Sequence, residues 1–244
     1  MPVPSSPPPQ PGPPALFAWL VHAFTASGAV LALLALLAIE QQRWTLALAW
    51  LASALLVDGI DGSMARWARV KDKAPRIDGA TLDLVIDYLN YVFVPALFLW
   101  HAQLLPGTLA LPLAAAILVS SLYVFARTDM KTDDGYFRGF PALWSVVAFY
   151  LLVLQVSPTV GAAVVVVLVI MTFAPIHFVH PFRVRDYGVW LPAISVIWIA
   201  ATCALLWPDW GESVRFAIAA VSVATAAALL AMGLVRSFRG RGKF

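Results

Sequence analysis

Long apolar runs, separated by short polar stretches, make up nearly all of this chain from residue 15 onward. Most of the runs are about 20 residues long, which is the length of α-helix that crosses the hydrocarbon core of a bilayer. There are eight runs, at residues 16–39, 45–66, 79–100, 108–127, 140–156, 159–179, 188–207 and 213–235. The fifth is short enough to be a re-entrant segment. The pattern predicts an all-α polytopic membrane protein with about eight transmembrane helices.

The composition supports this prediction and divides the chain into three parts. Hydrophobic residues make up 61% of the chain and charged residues only 12%, which excludes a soluble globular domain. Residues 1–14 are rich in proline and carry no charged side chain, so we expect a disordered tail there. We expect residues 15–236 to form one integral membrane domain and residues 237–244 a basic cytoplasmic tail near anionic lipids. No nucleic-acid partner is expected.

The basic residues fall on alternate connections between the runs. If the N-terminus is cytoplasmic and the runs alternate, all of the 16 lysines and arginines except Arg43 and Arg215 lie on the cytoplasmic side. Cytoplasmic loops of membrane proteins carry an excess of Lys and Arg. The distribution therefore predicts that both termini, and the connection between the second and third runs, are cytoplasmic.

Two pairs of aspartates flank that first cytoplasmic connection. Asp58 and Asp61 are three residues apart, and Asp83 and Asp87 are four residues apart, so on helices each pair shares one face. With helix ends near residues 66 and 79, Asp58 and Asp87 would lie about 12 Å from the connection, and Asp61 and Asp83 about 7 Å and 6 Å. The pattern predicts four carboxylates at matching depths just below a membrane surface, where divalent cations are their natural partners.

The aspartates have two other interpretations. They could form a buried polar network that holds two helices together, but four acids without matched bases in the spans would be costly. They could instead bind the cation of a membrane transporter, which predicts acids near the bilayer centre and polar residues in other spans. Here the acids lie near one surface and the remaining spans are almost wholly apolar. An enzyme that acts on a membrane lipid fits this distribution better.

The same segment resembles the signature of the CDP-alcohol phosphotransferase family, which reads D-x2-D-G-x2-A-R, a spacer, and G-x3-D-x3-D. Its eight fixed positions are filled by Asp58, Asp61, Gly62, Ala65, Arg66, Gly79, Asp83 and Asp87. The resemblance implies that residues 15–236 form a catalytic domain with a CDP-alcohol phosphotransferase core. It also implies transfer of a phosphatidyl group from CDP-diacylglycerol to an alcohol, with release of CMP.

The resemblance implies a role for each matched residue. The metal ligands for two ions of Mg²⁺ or Mn²⁺ would be Asp58, Asp61, Asp83 and Asp87. Asp87 would also act as the catalytic base that accepts the proton of the alcohol. Binding of the nucleotide and the rest of the substrate would involve Gly62, Ala65, Arg66 and Gly79.

The acceptor alcohol is suggested by features outside the fixed positions. The spacer at residues 67–78 is longer than in most of the family, and Gly59 follows the first aspartate. These features, with the T-A-S-G segment that begins at Thr25, resemble the bacterial branch that uses choline and makes phosphatidylcholine. The resemblance implies a bacterial inner-membrane protein with choline as acceptor and Thr25 beside the substrate cavity. Inositol phosphate, glycerol phosphate and serine, which other members use, stay open as alternatives, and so does a homodimer.

A choline site would need aromatic side chains, because a quaternary ammonium cannot donate a hydrogen bond and is attracted to aromatic faces. Five aromatic residues lie near the expected acceptor position or at the cytoplasmic ends of neighbouring spans, namely Tyr88, Tyr91, Trp67, Tyr123 and Trp144. An aromatic belt at the membrane interface explains most of them equally well. We therefore predict only that at least one of the five faces the cavity and contacts choline.

Overall fold

The structure is a computed structural model that describes residues 14–207 and 209–239. The tail predicted for residues 1–14 lies outside the described residues, apart from Pro14, which directly precedes the first helix. Residues 240–244 of the predicted basic tail lie outside them as well. The division into tail, membrane domain and basic tail therefore stays a prediction.

All eight apolar runs are helical. The described helices, in chain order, are α1 (Ala15–Glu40), α2 (Trp44–Ala68), α3 (Val70–Lys73), α4 (Gly79–Tyr88), a π-helical turn (Leu89–Phe93), α5 (Val94–His101), α6 (Gly107–Ala126), α7 (Trp144–Val153), α8 (Pro158–Phe173), α9 (Trp190–Ala204) and α10 (Glu212–Arg239). Within the described residues, five segments are long and apolar enough to cross a membrane: α1, α2, Gly79–His101, α6 and α10. The predicted all-α membrane fold is confirmed, with shorter helices in the fifth, sixth and seventh runs.

The shorter helices have local causes. Helix α7 begins only at Trp144, because Gly139 and Ala142 before it have φ angles of 78° and 58°, in the left-handed region that a helix does not use. Its ten residues span only about 15 Å, roughly half of the hydrocarbon core. Helix α8 ends at Phe173 because Ala174 precedes Pro175 and takes an extended conformation with ψ of 149°.

The third span is interrupted near its middle. The π turn Leu89–Phe93 lies between α4 and α5, directly before Val94 and Pro95. Pro95 has no N–H to donate to the carbonyl four residues earlier, so the regular hydrogen-bond ladder is broken at this place. The span therefore continues as one helix of changed pitch just beyond Asp87.

Helix α1 positions the two helices that carry the aspartates. It packs along α2 and also contacts α4, the π turn and α5. Its buried stripe includes the small residues Ala18, Gly28, Ala32 and Ala35, which let neighbouring backbones approach closely. Helices α2 and α4 are thus both held against one common neighbour.

The connections gather at two opposite ends of the bundle. The loops before α7 and before α9 pair as a two-stranded antiparallel ribbon, β1 (Phe137–Arg138) with β2 (His177–Phe178). Near the end of α10, Arg236 binds Asp134 of the first of these loops at 2.9 Å. At the other end, Gly161 at the start of α8 lies against the carbonyl of Leu104. The loops before α7 and before α9 and the end of α10, which were predicted to share one side of the membrane, therefore lie together.

Candidate active site

Three of the four aspartates form a compact group. One carboxylate oxygen each from Asp58 of α2 and from Asp83 and Asp87 of α4 lie within 4.8 Å of one another. All three side chains are only partly buried. Because a divalent cation is bound by several oxygens at once, these three residues form the part of the site best arranged to hold one.

The start of α4 sets the positions of Asp83 and Asp87. The side chain of Asp78 caps this helix by accepting hydrogen bonds from the N–H groups of Ala80 and Thr81. The Thr81 hydroxyl donates to the other oxygen of Asp78 at 2.9 Å, and these bonds lower the pKa of Asp78. Asp78 is therefore ionised near neutral pH. Asp83 and Asp87 follow it about one and two helical turns later.

Asp61 lies beside the group rather than in it. Its side chain is only 6% exposed, and the hydroxyl of Thr25 on α1 donates a hydrogen bond to its Oδ2 at 2.8 Å. The depths estimated from the sequence paired Asp58 with Asp87 and Asp61 with Asp83. The structure instead brings Asp58 to both aspartates of α4 and turns Asp61 towards α1.

The glycines of the motif differ in what surrounds them. A Cβ on Gly79 would lie 3.2 Å from Cε1 of the His22 ring, and a Cβ on Gly28 would collide with Ile86. A Cβ on Gly62 would meet only the Arg66 side chain, at 3.6 Å. Gly28 and Gly79 therefore serve close helix contact, whereas the space beside Gly62 is bordered by a flexible side chain.

His22 is a buried residue that the sequence did not single out for this site. It is 5% exposed, and its Nε2 is buried without a hydrogen-bond partner among the described residues. Its ring fills the space that Gly79 leaves open. Its place three residues before Thr25 in the same helix is the signal that could have identified it.

Basic residues from the ribbon loops lie close enough to the carboxylates to interact with them electrostatically. The pKa of Lys131 is lowered by burial and by Arg183, while Asp87, Asp58 and Asp83 act on it in the raising direction. The ammonium of Lys131 lies 5.1 Å from the centre of the Phe137 ring, on which His180 stacks. We call Lys131, Phe137, His180 and Arg183 the cap.

The five predicted choline contacts are placed very differently from one another. Trp144 has no exposed surface, and its indole N–H donates to Ser121. Trp67 is 60% exposed, and the face of Tyr123 carries the guanidinium of Arg127 at 5.2 Å. Tyr88 donates to the carbonyl of Leu118. Of the five, Tyr91 is the one whose hydroxyl contacts an aspartate of the group, donating to Asp58 at 2.8 Å.

Arg66, the basic residue of the motif, lies at the surface of the bundle. Arg66 lies near the end of α2 and donates a hydrogen bond to the hydroxyl of Ser63 at 3.0 Å. Both side chains are exposed at the surface. The guanidinium is therefore accessible at the surface near the end of α2. Ala65, one residue before it, packs against the small buried cluster around Ala18 and Ala68.

Comparison with known proteins gives a consistent result. The model of the CDP-alcohol phosphatidyltransferase family matches residues 18–175, from α1 to just beyond α8. A phosphatidylcholine synthase of Pseudomonas aeruginosa is 49% identical over 189 residues, which cover 78% of this chain and 79% of that protein. A phosphatidylcholine synthase of Bradyrhizobium diazoefficiens is 43% identical over 210 residues, covering 84% and 78%. One from Borreliella burgdorferi is 37% identical over 171 residues, covering 70% and 73%.

Proposed function

Because the chain belongs to the CDP-alcohol phosphatidyltransferase family, we propose that it makes phosphatidylcholine by transferring the phosphatidyl group of CDP-diacylglycerol to choline. CMP is the second product. The observation that carries the proposal is the group formed by Asp58, Asp83 and Asp87, in which two helices of the family motif present three carboxylates to one point. The choline assignment is supported by relatives named phosphatidylcholine synthase at 37–49% identity.

The donor set fits divalent metal ions. Carboxylate oxygens are the ligands that Mg²⁺ and Mn²⁺ prefer, and three of them converge here from three residues. In our proposal Asp58, Asp83 and Asp87 hold the ions, and Asp61 completes the set with the lone pairs that Thr25 leaves free. Two such ions, when bound, would neutralise the pyrophosphate and the charge that develops on departing CMP.

Side chains of the protein accept the proton and bind the substrate. Asp87 accepts the proton of the choline hydroxyl, whose oxygen forms a bond to the lipid-bearing phosphorus. The bond between that phosphorus and the oxygen of CMP breaks, and CMP leaves with the electron pair. Gly62 and Ala65 leave room for the nucleotide beside α2, and Arg66 and the cap residue Lys131 add positive charge for its phosphates.

The location of the protein follows from the same proposal. CDP-diacylglycerol has acyl chains that stay in the bilayer and a nucleotide that stays in water, so the reaction must occur at a membrane surface. The carboxylates interact electrostatically with Lys131 and Arg183, which belong to the basic loops that form the ribbon. We place these loops in the cytoplasm and the protein in the bacterial inner membrane.

One assay tests the function. Purified protein in detergent would receive CDP-diacylglycerol, Mn²⁺ or Mg²⁺, and in parallel choline, serine, glycerol phosphate or inositol phosphate, and CMP release would be followed. We expect release that depends on choline and on the metal and that stops when the metal is chelated. Faster release with another alcohol would overturn the choline assignment. Metal-dependent cation flux in vesicles without CMP release would favour the transporter alternative.

A further inference from the structure

Tyr91 makes an unusual contact for a residue near the middle of a span. Its hydroxyl donates a hydrogen bond to Oδ2 of Asp58 at 2.8 Å, across 33 residues of sequence. The side chain is only 5% exposed. Hydrogen bonds from a hydroxyl to an ionised carboxylate are about twice as strong as those between neutral groups, and exclusion of water strengthens them further.

The backbone places Tyr91 at this position in a particular way. Tyr91 is the central residue of the π turn Leu89–Phe93, and π turns inside α-helices occur frequently at functional sites. The neighbouring Asn90 pins the turn to α1, because its Nδ2 donates to the carbonyls of Gly28 and Ile86, each at 3.0 Å. The turn and its tyrosine are therefore fixed relative to both α1 and α2.

The environment of the Tyr91 ring does not suit a choline contact. A quaternary ammonium is bound by an open aromatic face, whereas Tyr91 belongs to the main hydrophobic core and is almost completely covered. Its hydroxyl is already engaged by Asp58. What the residue presents to the site is therefore a hydrogen-bond donor rather than a ring face.

The effect of that donor falls on Asp58. A carboxylate has about four lone-pair sites, and the Tyr91 hydroxyl occupies one, so the others stay available to a metal ion. Asp58 is the only member of the group of three that comes from α2, so its orientation decides whether the group closes. Asp61, the other aspartate of α2, is held in the same manner by Thr25.

We propose that Tyr91 is a positioning residue of this site, which uses its hydroxyl to hold Asp58 towards Asp83 and Asp87 for metal binding. The inference rests on the proposed function for its consequence in catalysis. Its consequence for metal binding can be measured separately. It assigns the two α2 carboxylates to two hydroxyl donors on different helices, Tyr91 on the π turn and Thr25 on α1.

The test compares Tyr91→Phe with the matched change Tyr150→Phe. Tyr91→Phe keeps the ring and removes the donor, whereas Tyr150→Phe removes a hydroxyl that bonds to Ser222 in α10. Mn²⁺ binding to each metal-free protein in detergent would be followed by the loss of the free Mn²⁺ paramagnetic resonance signal. We expect Tyr91→Phe to weaken Mn²⁺ binding roughly 10- to 100-fold, as is usual when a partner of a metal ligand is removed. Tyr150→Phe should bind Mn²⁺ like the wild type.

Kinetics separate the positioning role from a choline contact. Under the proposal, Tyr91→Phe lowers kcat at moderate Mn²⁺, regains activity at high Mn²⁺, and keeps the choline KM of the wild type. Unchanged Mn²⁺ binding, or a raised choline KM with normal Mn²⁺ binding, would overturn the proposal. Because Mn²⁺ binding is measured without substrate, the result stands even if choline proves not to be the acceptor.

A second pair of variants covers the case in which Tyr91→Phe does not fold. Tyr91→Gln keeps a hydrogen-bond donor without an aromatic ring, and Tyr91→Leu keeps neither. We expect Tyr91→Gln to retain tighter Mn²⁺ binding than Tyr91→Leu. Equal Mn²⁺ affinities in the two variants would show that the donor has no role.

Discussion

Thr25 and Ser27 are two hydroxyl residues of the same turn of α1, and their side chains bond in different directions. Ser27 donates to the carbonyl of Phe24 in its own helix at 2.6 Å, as hydroxyls inside spans commonly do. Thr25 instead donates to Asp61 of α2. This contact explains why Asp61 is almost fully buried with no basic partner among the described residues, since a buried carboxylate must at least be hydrogen-bonded.

The carboxylates can be tested one at a time. Asn at position 58, 61 or 83 removes one negative charge and keeps the size of the side chain, and in Asp61→Asn the amide oxygen still accepts from Thr25. We expect each variant to insert and purify while its rate of CMP release falls at least about 100-fold, because a metal ligand is lost. Full activity of a normally expressed Asp58→Asn protein would contradict the metal-site assignment.

At the scale of elements, the contact between α1 and α4 depends on a glycine. A Cβ at Gly28 would collide with Cγ2 of Ile86, and β-branched isoleucine has little rotamer freedom in a helix to move aside. We expect Gly28→Ala to lower the free energy of unfolding by about 1–3 kcal/mol, the usual cost of overpacking, measured by denaturation in detergent. The matched control is Gly59→Ala in α2, where nothing lies within 4 Å of the added Cβ. Equal stability of the two variants would contradict the close helix contact.

The cap gives the protein a pH-dependent element. Burial, with Lys131 and Arg183 nearby, lowers the pKa of His180 to about 4, whereas an unfolded chain has a histidine pKa of about 6.5. As the pH falls from about 6.5 towards 4, His180 becomes protonated in the unfolded chain but stays neutral in the folded protein. The free energy of unfolding therefore decreases over this range.

We therefore expect the unfolding temperature to fall between pH 7 and pH 5, and to fall less in His180→Gln, which cannot titrate. The measurement is thermal unfolding in detergent at both pH values. An identical decrease in the wild type and in His180→Gln would show that other groups cause it.

For the molecule as a whole, the grouping of the loops can be compared with the topology predicted from the sequence. The ribbon joins the loops before α7 and α9, and the pair formed by Arg236 and Asp134 joins the end of α10 to the same region. A membrane around this bundle would therefore leave these parts on one side. The basic residues predict that this side is the cytoplasm.

Cysteine labelling decides the orientation. In a Cys203→Ser background, we expect Asp72→Cys and Asp133→Cys to react only from the cytoplasm, and Pro106→Cys and Asp209→Cys only from the opposite side. The measurement is modification of intact cells by a membrane-impermeant thiol reagent. Labelling of Asp72→Cys from outside would invert the molecule and separate the site from cytoplasmic CDP-activated lipid.

The sequence alone determined the helices and the chemistry. A bilayer requires every backbone N–H and C=O group in its core to be bonded within the span, so apolar runs of sufficient length had to be helices, and they are. The motif from Asp58 to Asp87 likewise identified the family, because eight residues at fixed helical spacing leave few other uses for four acids beside apolar spans. Both conclusions depend only on which residues are neighbours in the sequence, and helix formation and helical spacing follow from such neighbours alone.

Only the tertiary structure decided which side chains meet. Asp58 joins Asp83 and Asp87 while Asp61 turns to Thr25, and Tyr91 reaches Asp58 through a π turn that no periodic pattern announces. The ribbon was not predicted because its strands have only two residues each. Such short strands are too short to show the alternation of apolar and polar residues by which a strand is recognised. These features depend on how closely helices distant in sequence approach one another, and that distance is set by packing at residues such as Gly28 and Gly79 rather than by spacing along the chain.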